Sequence, residues 1–277
     1  MGELKILGKI DLSGFEARKE RPNLEKVSGI LKSKMESLCI ETSKNFPGFM
    51  DEDGSIKMEG DESASHGELI RAKEEGWAKL EYLNIEDWNK RKEKKDSNLA
   101  EIAITLILHE KLKDRFLVAR ASKYDDYENG IDHVLLDKET GSVVCGFDQV
   151  LGMGKHDGSD KKKDKVQNII KKGGARLEYG CTINENGELI RKKLTNIPSF
   201  FLGISKDDLD KLLLKVQKNE NITDFSDKIM KDMINSLDGQ FEEVKMIAEN
   251  NNSDHEKLLE NIENFRKSLD IIKEIAS

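Results

Sequence analysis

Asn129–Asp137 (NGIDHVLLD), Lys138–Gly141 (KETG) and Ser142–Val150 (SVVCGFDQV) decide how this chain is read. Two β-prone runs flank four residues with a glycine at their end, which is the length and composition of a hairpin turn. The turn is centred on residue 140, so a hairpin there pairs residues whose numbers sum to 280, as 132 and 148 do. Asp132 and Asp148 then face each other with Cβ atoms ~5 Å apart. Two carboxylates that close repel unless a cation lies between them. Their oxygens are hard ligands suited to Mg²⁺ or Mn²⁺. Such an ion polarises a phosphoryl oxygen and lowers the pKa of a bound water. A slip of one residue would send the two side chains to opposite faces.

Working outward, Ser97 can cap a helix over Leu99–Lys113 (LAEIAITLILHEKLK), which is apolar on most sides, as a buried helix is. Phe116–Ala121 (FLVARA) reads as a strand before the hairpin. Asp160–Lys172 carries Val166, Ile169 and Ile170 at helical spacing and ends at Gly173-Gly174. Ala175–Ile183 (ARLEYGCTI) reads as the next strand, with an extra hairpin over Glu188–Leu194 and Ser199–Ile204. The order is α-β-β-β-α-β, an α/β (α+β) core over residues 97–204.

Residues 1–96 read as a mostly helical extension, with a short strand at Leu4–Leu12, helices at Leu24–Thr42 and Ser65–Glu81, and a solvated charge run at Asn89–Asp96. Residues 205–277 read as helices over Asp207–Lys218, Thr223–Glu249 and Asp254–Ala276. The last has a near-heptad stripe at Leu258, Leu259, Ile262, Phe265, Leu269 and Ile272. It suits either packing within the chain or a homo-oligomer built through these helices.

Glu101 is a third conspicuous carboxylate. It lies among apolar neighbours, where a buried unpaired charge is costly. It suits either a metal site or an exposed first turn favoured by the helix dipole. Glu68, beside His66, competes more weakly. Asp125, Asp126 and Glu128 in Tyr124–Glu128 (YDDYE) offer either an extra ligand or a polar loop. His133 neighbours Asp132 but points to the other strand face.

These residues resemble the PD-(D/E)XK nuclease superfamily, the restriction-endonuclease-like proteins. Gly130-Ile131-Asp132 looks like the family's strand motif, and Val144–Gln149 (VCGFDQ) like the strand carrying the second acid. The resemblance covers about residues 97 to 184. It implies an αβββαβ core and a divalent-metal-dependent endo- or exonuclease, acting on DNA rather than RNA. It also implies Glu101, Asp132 and Asp148 as metal ligands for Mg²⁺ or Mn²⁺. The sequence departs from the family's acid-x-Lys, because Asp148 is followed by Gln149-Val150. Some members take the lysine from the following helix. Lys161, Lys162, Lys163 and Lys165 are candidates, and Lys165, beside core-facing Val166, is the favoured fourth catalytic residue. Without a substitute the chain would be an inactive, nuclease-like nucleic-acid-binding module; a further alternative is a helical interaction protein in which the long C-terminal helices are the working part.

Between Lys161 and Arg176 stand six lysines and one arginine against Asp164, a local charge of +6 in a chain whose total is −8. Lys161, Lys162, Lys163, Lys171, Lys172 and Arg176 therefore form a candidate phosphate-binding stripe beside the acids. Gly152–Gly158 (GMGKHDG) lacks the GxxxxGK[ST] order of a nucleotide loop.

Of the 277 residues 36% are charged, well above the ~25% of average proteins, with 46 basic against 54 acidic side chains. The longest apolar run, Ile102–Leu108, is too short to span a membrane, which takes ~20 residues. The start of the chain lacks the apolar region of a secretory signal. Cys39, Cys145 and Cys181 have no zinc-like spacing and are odd in number. A cytoplasmic protein with no membrane partner is expected.

Overall fold

The computed structural model describes residues 20–152, 159–250 and 255–276. The expected strand at Leu4–Leu12 and most of the glycine-rich stretch after Leu151 lie outside the described residues. In chain order the helices of the N-terminal part are α1 (Leu24–Asn45), α2 (Ser63–Leu80) and α3 (Ile85–Lys92). The middle holds α4 (Asp96–Leu112), β1 (Phe116–Arg120), a π-helical turn (Asp125–Asn129), β2 (His133–Asp137), β3 (Ser142–Leu151) and α5 (Ser159–Lys171). Five short strands follow: β4 (Ala175–Leu177), β5 (Cys181–Ile183), β6 (Leu189–Arg191), β7 (Leu194–Ile197) and β8 (Ser199–Ile204). The chain closes with α6 (Lys206–Lys218), α7 (Thr223–Asn250) and α8 (Glu256–Ile275). The fold is mixed α/β, and no described helix is long and apolar enough to cross a membrane.

The main sheet has the order β1-β2-β3-β8. The first three strands are antiparallel neighbours, and β8 runs parallel to β3. The hairpin has the expected register where the acids lie: His133 pairs with Phe147, Val134 with Gly146 and Leu135 with Cys145. A bulge between Leu135 and Leu136 shifts only the turn end. At that turn Gly141 has φ 66°, and a Cβ there would collide with the Ile183 carbonyl.

The fourth strand differs from expectation. Residues 175–183 do not join the main sheet. They split into β4, which pairs with β7, and β5, which pairs with β6. Between them the Glu178 and Tyr179 N–H groups donate to the Asp125 carboxylate, at 2.7 and 3.0 Å, so the ladder is broken at that point. Ser199–Ile204 takes the place beside β3, burying Phe200, Leu202 and Ile204. A parallel neighbour needs a long crossover, which α5 and the small hairpins supply.

One face of the sheet is covered by helices. Val27 and Leu31 of α1 share a core with most of α4, with Val118, Leu135, Phe147 and Phe200 of the sheet, and with α7 and α8. A smaller core on the other face joins Phe49 and Ile56 to Leu117, Ala119, Val134 and Leu136 of the sheet and to the small hairpins. The edge of β8 is closed by Gln240 of α7, whose amide accepts from Phe201 N–H (2.8 Å) and donates to Phe201 C=O (2.9 Å).

The apolar stripe of α8 is internal. Leu258, Ile262, Phe265 and Leu269 have no exposed surface, and Phe265 stacks on Phe200 with ring centroids 4.1 Å apart. The stripe is used against α7 and the sheet, so it is not offered to a second copy as the homo-oligomer reading required. Phe265→Ala should cost about 3–5 kcal/mol in urea denaturation. A loss under about 1 kcal/mol would mean that α8 is a detachable arm.

Candidate functional site

Asp148 lies in the middle of β3 with no exposed surface. A buried carboxylate needs countercharge, and α5 delivers two lysines to it. Residues 162 and 165 lie one turn apart on one helix face. The Lys162 ammonium pairs with Oδ1 of Asp148 and the Lys165 ammonium with Oδ2, the latter at 2.5 Å. Lys165 also donates to the Gly130 carbonyl at 3.1 Å. Gly130 has φ 68°, and a Cβ there would occupy the space of the Lys165 ammonium. The glycine of the GID motif thus makes room for the lysine.

Asp132 sits just before β2. Its N–H donates to Phe147 C=O at 2.7 Å, and its carboxylate accepts the Gln149 N–H at 2.5 Å, next to Asp148. On its other side Asp132 lines a cavity of about 370 Å³ with Glu101, Asp126, Arg120, Lys92 and Tyr127. Surrounding protein pushes the Asp132 carboxyl well above the usual carboxylate range, reinforced by Glu101, Asp126 and Asp148. Burial and the Glu101 charge likewise push Asp126 up to about 6, while Lys92, Arg120 and a hydrogen bond with Asp132 oppose the shift. The two aspartates therefore hold a proton more tightly than isolated carboxyls do.

Glu101 does not occupy the exposed first turn of its helix. The helix begins at Asp96, without a side-chain cap from Ser97, so Glu101 stands in the second turn, beyond the strongest dipole effect. It pairs with Arg120 at the end of β1 at 2.7 Å, and Arg120 also donates to the Asp53 carbonyl at 3.2 Å. His133 faces α4, with Nε2 2.9 Å from the Thr105 hydroxyl. Burial and then Arg120 push its imidazole down to about 4, so it is neutral at physiological pH. Asp125 is a structural tie: it accepts from Ser122, Asn129 and the Glu178 and Tyr179 N–H groups. Glu68 is exposed on α2, and His66 stacks on Tyr124 with centroids 3.8 Å apart.

The basic stripe divides. Lys162 is turned onto Asp148 instead of outward. Lys163 pairs with Glu243 at 3.1 Å, and Arg176 with Glu178 at 3.2 Å. Lys161, Lys171 and Lys172 are exposed, and among the described residues none of the three makes an ion pair. Lys161 and Lys172 line a groove of about 530 Å³ between α5 and the π-helical turn, together with Lys165, Tyr127 and Gly130.

The donors are buried or half-buried carboxylate oxygens with excess negative charge, which suits a hard divalent cation. Their present positions are less suited. Among the described residues no three carboxylates, thiols or imidazoles converge as ligands. Both Asp148 oxygens are neutralised by lysine ammoniums.

Arg120 and Lys92 escaped the sequence reading. Arg120 was visible as the one charge in an otherwise apolar strand. Lys92 was hidden in a charge run read as a connector, yet that run's first half is the end of α3, and burial pushes the Lys92 ammonium down. Comparison with protein-family models, with curated proteins and with solved structures found no match.

A carboxyl whose pKa is raised on folding stabilises the fold less as pH rises. For Asp126 the loss runs from its ordinary value of 3.8 to about 6 and is complete above that. Asp126→Asn should therefore melt higher than wild type at alkaline pH, and the difference should vanish below about pH 4. An equal difference at every pH would show that charge is not the cause.

Proposed function

We propose that the chain is a divalent-metal-dependent nuclease of the PD-(D/E)XK type, hydrolysing phosphodiester bonds, in DNA on the strength of the resemblance. The observation that carries the reading is the pairing across the hairpin. Asp132 reaches the backbone of β3 beside Asp148, and Lys165 from the following helix touches Asp148 at 2.5 Å. The order α4-β1-β2-β3-α5-β8, with β8 parallel to β3, supports it as well.

Asp132, Asp148 and Glu101 would hold Mg²⁺ or Mn²⁺, with Asp126 as a further oxygen donor in the same cavity. The ion, when bound, would supply a nucleophilic water and neutralise charge on the phosphoryl oxygens. Lys165 would take the part of the lysine missing after Asp148. Its ammonium can orient the water and stabilise charge that develops on the phosphate. Release of Asp148 by the lysines would accompany metal binding, since one carboxylate cannot serve both. Lys161, Lys171 and Lys172 would hold the phosphate backbone. Lys163 and Arg176 are already engaged by the half-buried Glu243 and the buried Glu178 and would have to leave them to join.

A second reading is favoured by the same lysines. With both Asp148 oxygens neutralised and no converged ligand set, the fold would bind nucleic acid without cutting it.

Labelled single- and double-stranded DNA and RNA, incubated with Mg²⁺ or Mn²⁺, separate the two. Metal-dependent cleavage is expected, stopped by chelator and reduced to background in Asp148→Ala. Lys165→Ala should lose about 100-fold, the effect of removing one charge-stabilising donor. Binding without cleavage on any substrate would favour the second reading.

A further inference from the structure

The two lysines that hold Asp148 are not equivalent. Lys165 has a place built for it. Besides Oδ2 of Asp148, its ammonium meets the Gly130 carbonyl at 3.1 Å, in space that a Cβ at Gly130 would fill. Lys162 pairs with Oδ1 and, among the described residues, has no second acceptor. α5 begins at Ser159, so Lys162 stands in its first turn, where the helix dipole disfavours a cation. The helix itself gains nothing from an ammonium at this position; the acids do.

The charges around Lys162 are those of a cation site. Burial disfavours its ammonium, yet Asp148, then Asp132 and Asp126, outweigh that penalty and push its pKa up. Asp148 and Asp132 are two of the carboxylates that would hold a divalent ion, and Asp126 is the further oxygen donor. One ammonium thus lies in the field of all three. Its side chain is 32% exposed, so the flexible stem can carry the charge into water while Val166 and Ile170 keep α5 on the core. A hard divalent ion and an ammonium seek the same carboxylate oxygens. Two cations at contact distance repel strongly where water is scarce, so they exclude each other at Oδ1.

We infer that Lys162 is a built-in competitor for the metal. Its ammonium fills the cation position at Oδ1 of Asp148 and must swing out before a divalent ion can bind there, while Lys165 stays in the site on the Gly130 carbonyl. The inference rests on the metal-dependent reading. It separates two lysines one turn apart: Lys165 works with the ion, and Lys162 works against it.

Two measurements on the full chain test it. In the first, an amine-acylating reagent labels the wild type with chelator or with saturating Mn²⁺, and tandem mass spectrometry reads each lysine. Lys162 should be labelled several-fold faster with Mn²⁺, and Lys165 should change less. In the second, Mn²⁺ is titrated and the free ion is followed by electron paramagnetic resonance. Lys162→Gln should bind at least about tenfold tighter than wild type, a fraction of what a unit charge at contact distance exerts. Lys162→Arg, which keeps the charge, should bind no tighter than wild type. Adding Asp148→Asn to Lys162→Gln should abolish the gain. Unchanged labelling of Lys162 in the Mn²⁺-saturated wild type, or equal or weaker binding by Lys162→Gln, overturns the inference; Mn²⁺-dependent cleavage by the wild type would then leave the nuclease reading standing. Tighter binding by Lys162→Gln with no cleavage by either protein upholds the inference and rejects the nuclease reading. No binding by any of these chains overturns both. The labelling uses no variant, so it decides the matter even where Lys162→Gln does not fold.

Discussion

A carboxylate with no solvent exposure in the middle of the longest strand is the constraint on which the rest depends. Asp148 can be charged there only with countercharge at contact distance, and Lys162 and Lys165 provide it. That requirement fixes the face that α5 turns to the sheet. It explains why Gly130, rather than any residue with a side chain, precedes Ile131. Removing one partner of a buried pair typically costs 3–5 kcal/mol, because the other charge is stranded. The arrangement is thus a poor source of stability and a specific device for holding charge at one point.

Around that point the chain gathers opposite charges in two shells. Asp148 is neutralised from α5. Glu101 is neutralised from β1 by Arg120. Asp132 and Asp126 lie between, have no comparable ion pair among the described residues, and are carboxyls whose proton affinity rises clearly. Acids line both walls of the cavity, Glu101, Asp126 and Asp132 on one and Glu52, Asp53, Glu74 and Glu93 on the other. The N-terminal helices line that cavity instead of forming an independent extension: Val27 and Leu31 of α1 enter the main core, while Lys32 of α1 and Lys92 of α3 line the cavity with the acids.

The hairpin was legible in the sequence because its signals are local. A four-residue turn with a terminal glycine between two β-prone runs fixes the register, and the bulge falls away from the acids. The buried helix was legible from its apolar content, and the C-terminal helices from their periodicity. What escaped is non-local. Glu101 offered a dipole or a metal role because its partner lies on a different element. Lys162 read as a phosphate contact because nothing nearby shows that Asp148 is buried enough to claim it. Residues 175–183 look like a strand by composition, but Asp125 takes two of their N–H groups, and Ser199–Ile204 pairs with β3 instead. The cavity wall had no signal at all, since it joins residues from α1 to β2.

Whether Asp132 and Asp148 form one cation-binding pair, as proposed, is tested most directly by a titration with Mn²⁺ alone, followed by electron paramagnetic resonance. Saturable binding is expected for the wild-type chain and is lost in both Asp132→Asn and Asp148→Asn, with each variant still folded. Binding unchanged in either variant, or no binding by the wild type, would contradict it.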